Sequence, residues 1–240
     1  MVGNYIAAAL RSLRRNRLHA AISIVGLAFG ITAALLTALI LRSELTYDHF
    51  IEGHERTYLV GSRMTMPGQP PMWADVSQLK LASLLKENVQ QLESVTRLMN
   101  ARVSVRNGEI QAFERLYWAD PPTFEVLPMP VVAGDPVASL KNADGLVLTR
   151  STARKYFSRD APLGATLLID GTPMKVSAVV ADLPDRGTQF EAAIYASALA
   201  SFSGISRVER AEPDFMVTEQ NGARVYARLA PGISPASLTE

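Results

Sequence analysis

The hydrophobic positions of this chain fall into two regimes. From Ala20 to Leu41 it reads AAISIVGLAFGITAALLTALIL, with no charge and only Ser23, Thr32 and Thr37 as polar side chains. As a helix rising ~1.5 Å per residue the run is roughly 33 Å long, enough to cross a hydrocarbon core of about 30 Å. A buried helix of a soluble protein rarely stays free of charge for so long. A cleaved signal peptide has a shorter apolar core and a small-residue cleavage site, whereas this run ends in Ile40-Leu41-Arg42-Ser43-Glu44. One uncleaved transmembrane helix over 20–41 is therefore expected.

Beyond it, short apolar runs alternate with turn signals. The stretch 57–64 reads as a strand and Pro67-Gly68-Gln69-Pro70-Pro71 as a loop. Asp75 and Gln78 match a capping box and predict a helix over 76–88. Strands over 94–106 and 109–118 flank an Asn107-Gly108 turn and predict a hairpin. Ala119-Asp120-Pro121-Pro122-Thr123-Phe124 interrupts the pattern. A strand over 145–149, a helix over 151–157 and a hairpin over 166–180 about Asp170-Gly171 follow. The polar stretch 182–215 reads as irregular, and 223–229 as a strand. Ser234-Pro235-Ala236-Ser237-Leu238-Thr239-Glu240 reads as the start of a helix, from which a longer parent chain is expected.

Charge orients the membrane segment. Arg11, Arg14, Arg15 and Arg17 precede it, and residues 1–42 contain no acid. Glu44, Asp48 and Glu52 follow it, and residues 43–240 carry 19 bases against 23 acids. Positive flanks stay cytoplasmic, so the N-terminus is expected inside and residues 43–240 outside. Tyr5, Ile6, Ala9, Leu10 and Leu13 follow helical spacing opposite Arg11, Arg14 and Arg15. Residues 1–19 are thus either a short amphipathic helix along the cytoplasmic leaflet or a plain positive flank.

Within the apolar run Ser23, Gly26, Gly30, Ala34 and Thr37 recur at steps of three or four, and Gly26 to Gly30 is a GxxxG. Small residues on one stripe let a second helix backbone approach closely, so a membrane partner is expected on this face. A compositional origin is the alternative, since Gly, Ala and Ser are common in such helices.

The chemistry-bearing residues are sparse. The chain has 240 residues, no Cys, and a net charge of +1. Thiol catalysis and disulfides are excluded, and no basic excess points to nucleic acid. No phosphate-cradling glycine loop and no GxSxG occur. Ser83 and Lys86 match S-x-x-K without its companion motifs. Asp48, His49, Glu52, His54 and Glu55 cluster in sequence, but His49 and His54 fall on different faces of a helix. No catalytic, cofactor-binding or metal-ligating residue is assigned.

Several segments, in order, carry a family resemblance. Asn4-Tyr5-Ile6, Leu10-Arg11-Ser12-Leu13-Arg14-Arg15-Asn16-Arg17 and Ile24-Val25-Gly26-Leu27-Ala28-Phe29-Gly30 come first. Glu44-Leu45-Thr46-Tyr47-Asp48-His49-Phe50 and Glu55-Arg56-Thr57-Tyr58-Leu59-Val60 follow. Then come Ala119-Asp120-Pro121-Pro122-Thr123-Phe124-Glu125-Val126-Leu127-Pro128 and Ala133-Gly134-Asp135-Pro136. The last are Val147-Leu148-Thr149-Arg150-Ser151-Thr152-Ala153-Arg154-Lys155-Tyr156-Phe157, Pro162-Leu163-Gly164 and Asp170-Gly171. Together they resemble the MacB/FtsX-like permeases of ABC transporters, with Leu59 standing where the family often has Arg or Lys.

The resemblance implies an α+β chain, with one N-terminal transmembrane helix followed by a two-lobed periplasmic domain. Its parts would be a cytoplasmic segment 1–19, the helix 20–41, a stalk 42–51, an α/β porter-like lobe from 52–118 and 215–240, and an inserted β-rich lobe 119–214. Further membrane helices would follow Glu240. The implied place is the bacterial inner membrane, with residues 43–240 periplasmic. The implied partners are a cytoplasmic ABC ATPase subunit, a second copy or related permease chain, a periplasmic adaptor and membrane lipid, and no nucleic acid. The implied function couples ATP hydrolysis to periplasmic conformational change, for export of an antibiotic, peptide or lipophilic substrate. A membrane-tethered binding or signalling module without transport is the alternative.

Overall fold

The computed structural model describes residues 15–45, 51–65, 68–183, 188, 190, 193–211 and 222–238. The chain divides into two compact units, Met1–Tyr47 and Asp48–Glu240, which are treated separately. In the first, α1 (Arg17–Leu45) is a single 29-residue helix. It has no Pro, is rich in Ala and Leu, and is longer at both ends than the apolar run alone predicts. Its apolar side chains point to every side, and Leu27, Phe29, Leu36 and Ile40 are all more than half exposed. A helix that is apolar all round and not buried in protein is suited to lipid. By length and composition it can cross a membrane over Arg17–Arg42. Residues 1–14 of the amphipathic segment predicted before it, including Arg11 and Arg14, and residues 46–50 of the predicted stalk lie outside the described residues.

The second unit is built on a sheet. Its strands are β1 (Thr57–Val60), β2 (Ser62–Met64), β3 (Met72–Ala74), β4 (Leu92–Asn107), β5 (Ile110–Ala119), β6 (Val131–Gly134), β7 (Gly145–Thr149), β8 (Thr166–Ile169), β9 (Thr172–Val180), β10 (Ile194–Ser197) and β11 (Arg224–Leu229). Helices α2 (Lys80–Asn88), α3 (Thr123–Val126), α4 (Pro136–Leu140), α5 (Arg150–Phe157) and α6 (Gly204–Ala211) lie between them. Among the described residues nine strands form one sheet in the order β1-β11-β4-β5-β10-β7-β9-β6, with β8 pairing both β4 and β9. The pairings therefore close on themselves through β4, β5, β10, β7, β9 and β8. Strands β2 and β3 form a separate small hairpin. The segments 52–118 and 222–238 supply β1, β11, β4 and β5 at one end of the order, and 119–211 supplies the rest.

Each of the six ring strands sends apolar side chains into one shared core. Met99, Val103, Leu116, Trp118, Leu148, Leu167, Val176 and Ile194 are among them, covered by Ala153 and Tyr156 of α5 and Ile205 of α6. The alternate residues of the same strands, Leu98, Tyr117, Val147, Ala178 and Tyr195, form a second core with Phe124 and Val126 of α3 and Leu140 of α4. Two-sided burial at period 2 is what a sheet covered on both faces requires.

The turns follow from residue type. Between β8 and β9 both Asp170 and Gly171 have positive φ, as a I′ turn demands. Between β4 and β5 the two loop residues are Gly108 and Glu109, and of these only Gly108 has positive φ. That is the requirement of a II′ turn, one residue on from the Asn-Gly position. Gly134 has φ +76 and lies so close to the backbone of Ser177 that a Cβ there would overlap its carbonyl. Asp135 then caps α4, accepting from the amides of Val137 and Ala138, and Pro136 occupies the first turn where no amide is needed.

Three expectations are corrected. The helix predicted over 76–88 starts at Lys80, because Ser77 instead exchanges both backbone hydrogen bonds with Ala223 (2.9 and 3.1 Å). Asp75 is therefore no cap. It pairs with Arg224 of β11 at 2.7 Å, a tertiary partner outweighing a local one. The strand predicted over 57–64 is two strands broken at Gly61. The stretch 182–215 contains β10 and α6. At the end, the described residues form a 3₁₀ turn, Pro235–Leu238.

Candidate functional site

The small-residue stripe keeps its helical spacing on α1, and Ser23, Gly26, Gly30, Ala34 and Thr37 are all exposed. A Cβ added at Gly26 or Gly30 meets nothing within 4 Å. Thr37 donates its hydroxyl to Ala33 O at 2.9 Å, and Thr32 donates to Ala28 O at 2.8 Å. Those hydroxyls are satisfied within the helix, as a helix in lipid needs. The stripe's Thr37 is thus a small surface rather than a polar hook. Arg15 and Arg17, of the four flanking arginines, are exposed near the helix start.

The sequence motifs weighed for chemistry do not assemble. Ser83 and Lys86 are both exposed on α2. His54 Nδ1 lies 3.1 Å from Ile51 O and 3.6 Å from Glu55, and Glu52 uses its carbonyl to accept from Arg228. Asp48 and His49 lie outside the described residues. Asp182 accepts from the Ser151 amide at 2.8 Å and so caps the first turn of α5. No group of acidic and histidine side chains suited to a metal occurs among the described residues.

Sequence reasoning did not single out a cleft of about 450 Å³, although three of its walls are arginines. Asp75, Asn100, Arg102, Arg115, Tyr117 and Arg224 supply its polar lining. Arg102 on β4 stands directly opposite Arg115 on β5 in the ladder. Arg224 is held by Asp75 and donates to the Tyr117 hydroxyl at 3.4 Å. Burial pushes the Tyr117 phenol up, and the charges of Arg224 and Arg115 pull the other way without reversing it. The phenol therefore stays neutral at physiological pH and keeps its proton to donate. The Arg102 guanidinium lies 6.0 Å from the centre of the Phe113 ring. The signal in the sequence was the register of the hairpin, which places positions 102 and 115 side by side once the turn is located.

A helix long and apolar enough to cross a membrane, followed by a sheet-rich α+β domain, suits a membrane-anchored protein. The match to known proteins is specific. Residues 20–240 match the MacB-like periplasmic core domain model, and the chain belongs to that family. Two solved structures share the fold. One is a domain assigned to a permease protein of Porphyromonas gingivalis, 20% identical, with a TM-score of 0.61, covering 78% of this chain and 78% of that one. The other is the extracellular domain of the ABC-type transporter YknZ from Gram-positive bacteria, 15% identical, with a TM-score of 0.51, covering 76% of this chain and 87% of that one. No curated protein matches significantly.

Proposed function

We propose that this chain is the membrane and periplasmic part of a MacB/FtsX-type ABC transporter permease. In this reading it couples ATP hydrolysis by a cytoplasmic ATPase chain to movement of its periplasmic domain, for export of an antibiotic, peptide or lipophilic substrate. The observation that carries it is the family match spanning the apolar helix and the whole of the following domain. Affinity purification of the full-length protein in mild detergent tests it. An ABC ATPase, as a separate chain or in the same polypeptide, is expected to accompany it, and its absence from both would sink the reading.

The arginines at 11, 14, 15 and 17 support a cytoplasmic N-terminus, with residues 43–240 periplasmic at a bacterial inner membrane in this reading. A fusion after Ser62 is expected to be active with a periplasmic reporter and silent with a cytoplasmic one. In this reading the segments 52–118 with 215–240 form the porter-like lobe and 119–214 the inserted lobe, joined where β4 and β5 complete a ring with β10, β7, β9 and β8.

The stripe of Ser23, Gly26, Gly30, Ala34 and Thr37 is the bearing surface for a neighbouring membrane helix. Because α1 runs unbroken from Arg17 to Leu45, a tilt imposed in the membrane travels its length without melting backbone hydrogen bonds. Gly30→Leu is expected to weaken assembly or coupling by on the order of 1 kcal/mol, while Leu36→Ala changes little. In-cell transport at matched membrane abundance, with ATPase activity in parallel, is the check. Wild-type behaviour of Gly30→Leu in both assays would reduce the stripe to composition.

A further inference from the structure

We propose that Arg56 and Arg228 form a clasp at the entry of the sheet domain, and that β1 opens from the sheet only when the contacts of both are broken. The inference concerns the second unit alone and stands whether or not ATP hydrolysis drives any movement.

The entry strand has little hold of its own. β1 is four residues long and pairs with β11 alone, at the edge of the sheet. The register sets Thr57 opposite Arg228 and Val60 opposite Val225. A pull on the chain ahead of Thr57 therefore loads this ladder one pair at a time, from that end. A short edge element with one neighbour is where local opening starts. In sequence β1 is also the first strand after α1, so any movement passed along the chain enters the sheet here.

Two guanidinium groups cross at that end. Arg56 lies in the 3₁₀ turn His54–Arg56, directly before β1. Its Nη1 donates to Leu229 O of β11 at 2.7 Å and to the Glu93 carboxylate of β4 at 2.8 Å. Arg228 reaches the opposite way, from β11 back to the entry segment. Its Nη2 donates to Glu52 O at 2.9 Å, and its Nη1 to Glu125 O of α3 at 2.5 Å. Each strand's arginine thus holds the other strand's backbone, and the two together bind the joint to β4 and α3, which β1 does not pair with. Three of the four acceptors are main-chain carbonyls, already fixed in place, and bonds from a charged donor are the stronger kind.

The turn is shaped for this crossing. Gly53 has φ +75, and a Cβ there would lie 2.0 Å from Arg228 Nη2. Glycine serves both the left-handed turn and the close passage of the guanidinium. The Thr57 hydroxyl donates to Gly53 O at 3.1 Å, and Ile51, 3% exposed, packs in the core that holds Tyr226 and Val126.

Hydrogen exchange of the full chain in phosphatidylcholine nanodiscs, read by mass spectrometry on peptides covering β1 and β9, is the test. Arg56→Gln combined with Arg228→Gln is expected to speed exchange in β1 by about tenfold or more, and each alone by less, with β9 unchanged. Gly53→Ala keeps both arginines but puts a methyl group in the path of Arg228, and is expected to speed β1 likewise. Arg159→Gln, an exposed arginine elsewhere, controls for loss of charge and is expected to leave both peptides unchanged. Wild-type exchange of β1 in the double variant overturns the proposal. Equal acceleration of β9 also overturns it, because the arginines would then support the whole domain rather than its entry. Where the double variant does not fold, the two single variants and Gly53→Ala decide, and β1 exchange at the wild-type rate in all three overturns it.

Discussion

Trp118→Ala is expected to destabilise the sheet domain by about 4 kcal/mol, whereas Trp73→Ala should change stability by no more than about 0.5 kcal/mol. The two tryptophans share a chemistry and differ in surroundings. Trp118 on β5 is 1% exposed and sits in the core common to the six ring strands. Its ring meets Phe202 edge-on at 5.3 Å, and the backbone of Gly204, at the start of α6, approaches so closely that a Cβ there would lie 3.2 Å from the indole. Truncation therefore removes the buried area and leaves a cavity that α6 and β4 cannot both close. Trp73 on β3 is 73% exposed and has little to lose. For a domain of this size each kcal/mol shifts the melting temperature by roughly 2–4 °C, so Trp118→Ala should lower it by about 10 °C. Urea and thermal unfolding of both variants are the measurements. Equal midpoints for the two would contradict the placement of Trp118 in a shared core.

The elements read correctly from sequence are those whose signal is local. The β4–β5 and β8–β9 hairpins announce themselves through a Gly that can take positive φ between two alternating runs. The membrane helix shows in composition alone. What was misread is what tertiary contacts decide. Ile194, Tyr195, Ala196 and Ser197 of β10 are buried on both faces, so no polar residue alternates with them and nothing marks a strand among the polar flanks. Yet β10 is the strand through which β5 and β7 join, parallel to one and antiparallel to the other. Asp75 and Gln78 form a plausible cap on paper, but the backbone of Ser77 finds Ala223, 146 positions on, and the helix waits until Lys80. The arginine cleft was hidden for a related reason. Its walls come from positions 75, 102, 115 and 224, and only the register of three strands brings them together. The spacing of the stripe on α1 was legible, because one helix carries all of it.

Removing Asp120 is the second large perturbation expected, at about 3 kcal/mol for Asp120→Ala. Arg97 on β4 reaches Asp120 with two nitrogens, at 2.7 and 3.0 Å, and its backbone amide donates to the same carboxylate at 3.1 Å. Both side chains are largely buried, 13% and 14% exposed. Burial works to lower the Arg97 pKa, but the hydrogen bonds and charges of Asp120 and Glu209 outweigh it and leave it raised. A guanidinium is not deprotonated in proteins, so the charge remains when its partner is removed. Deleting Asp120 strands that charge with only the half-exposed Glu209 and the Leu79 carbonyl. Asp120 also anchors the chain where it leaves β5. Its carbonyl accepts from the amide and hydroxyl of Thr123, whose hydroxyl lies 2.6 Å from that of Thr96, and Phe124 then packs on Tyr195. The Asp-Pro-Pro-Thr-Phe motif is in this light a structural joint between β4, β5 and α3. A double-mutant cycle separates the pair from the joint. Arg97→Leu combined with Asp120→Ala buries no unpaired charge, so the double variant should lose less than the two single variants together, giving a coupling energy above about 1 kcal/mol. Additive effects in urea unfolding would mean that the ion pair contributes nothing and that the damage lies in the turn alone.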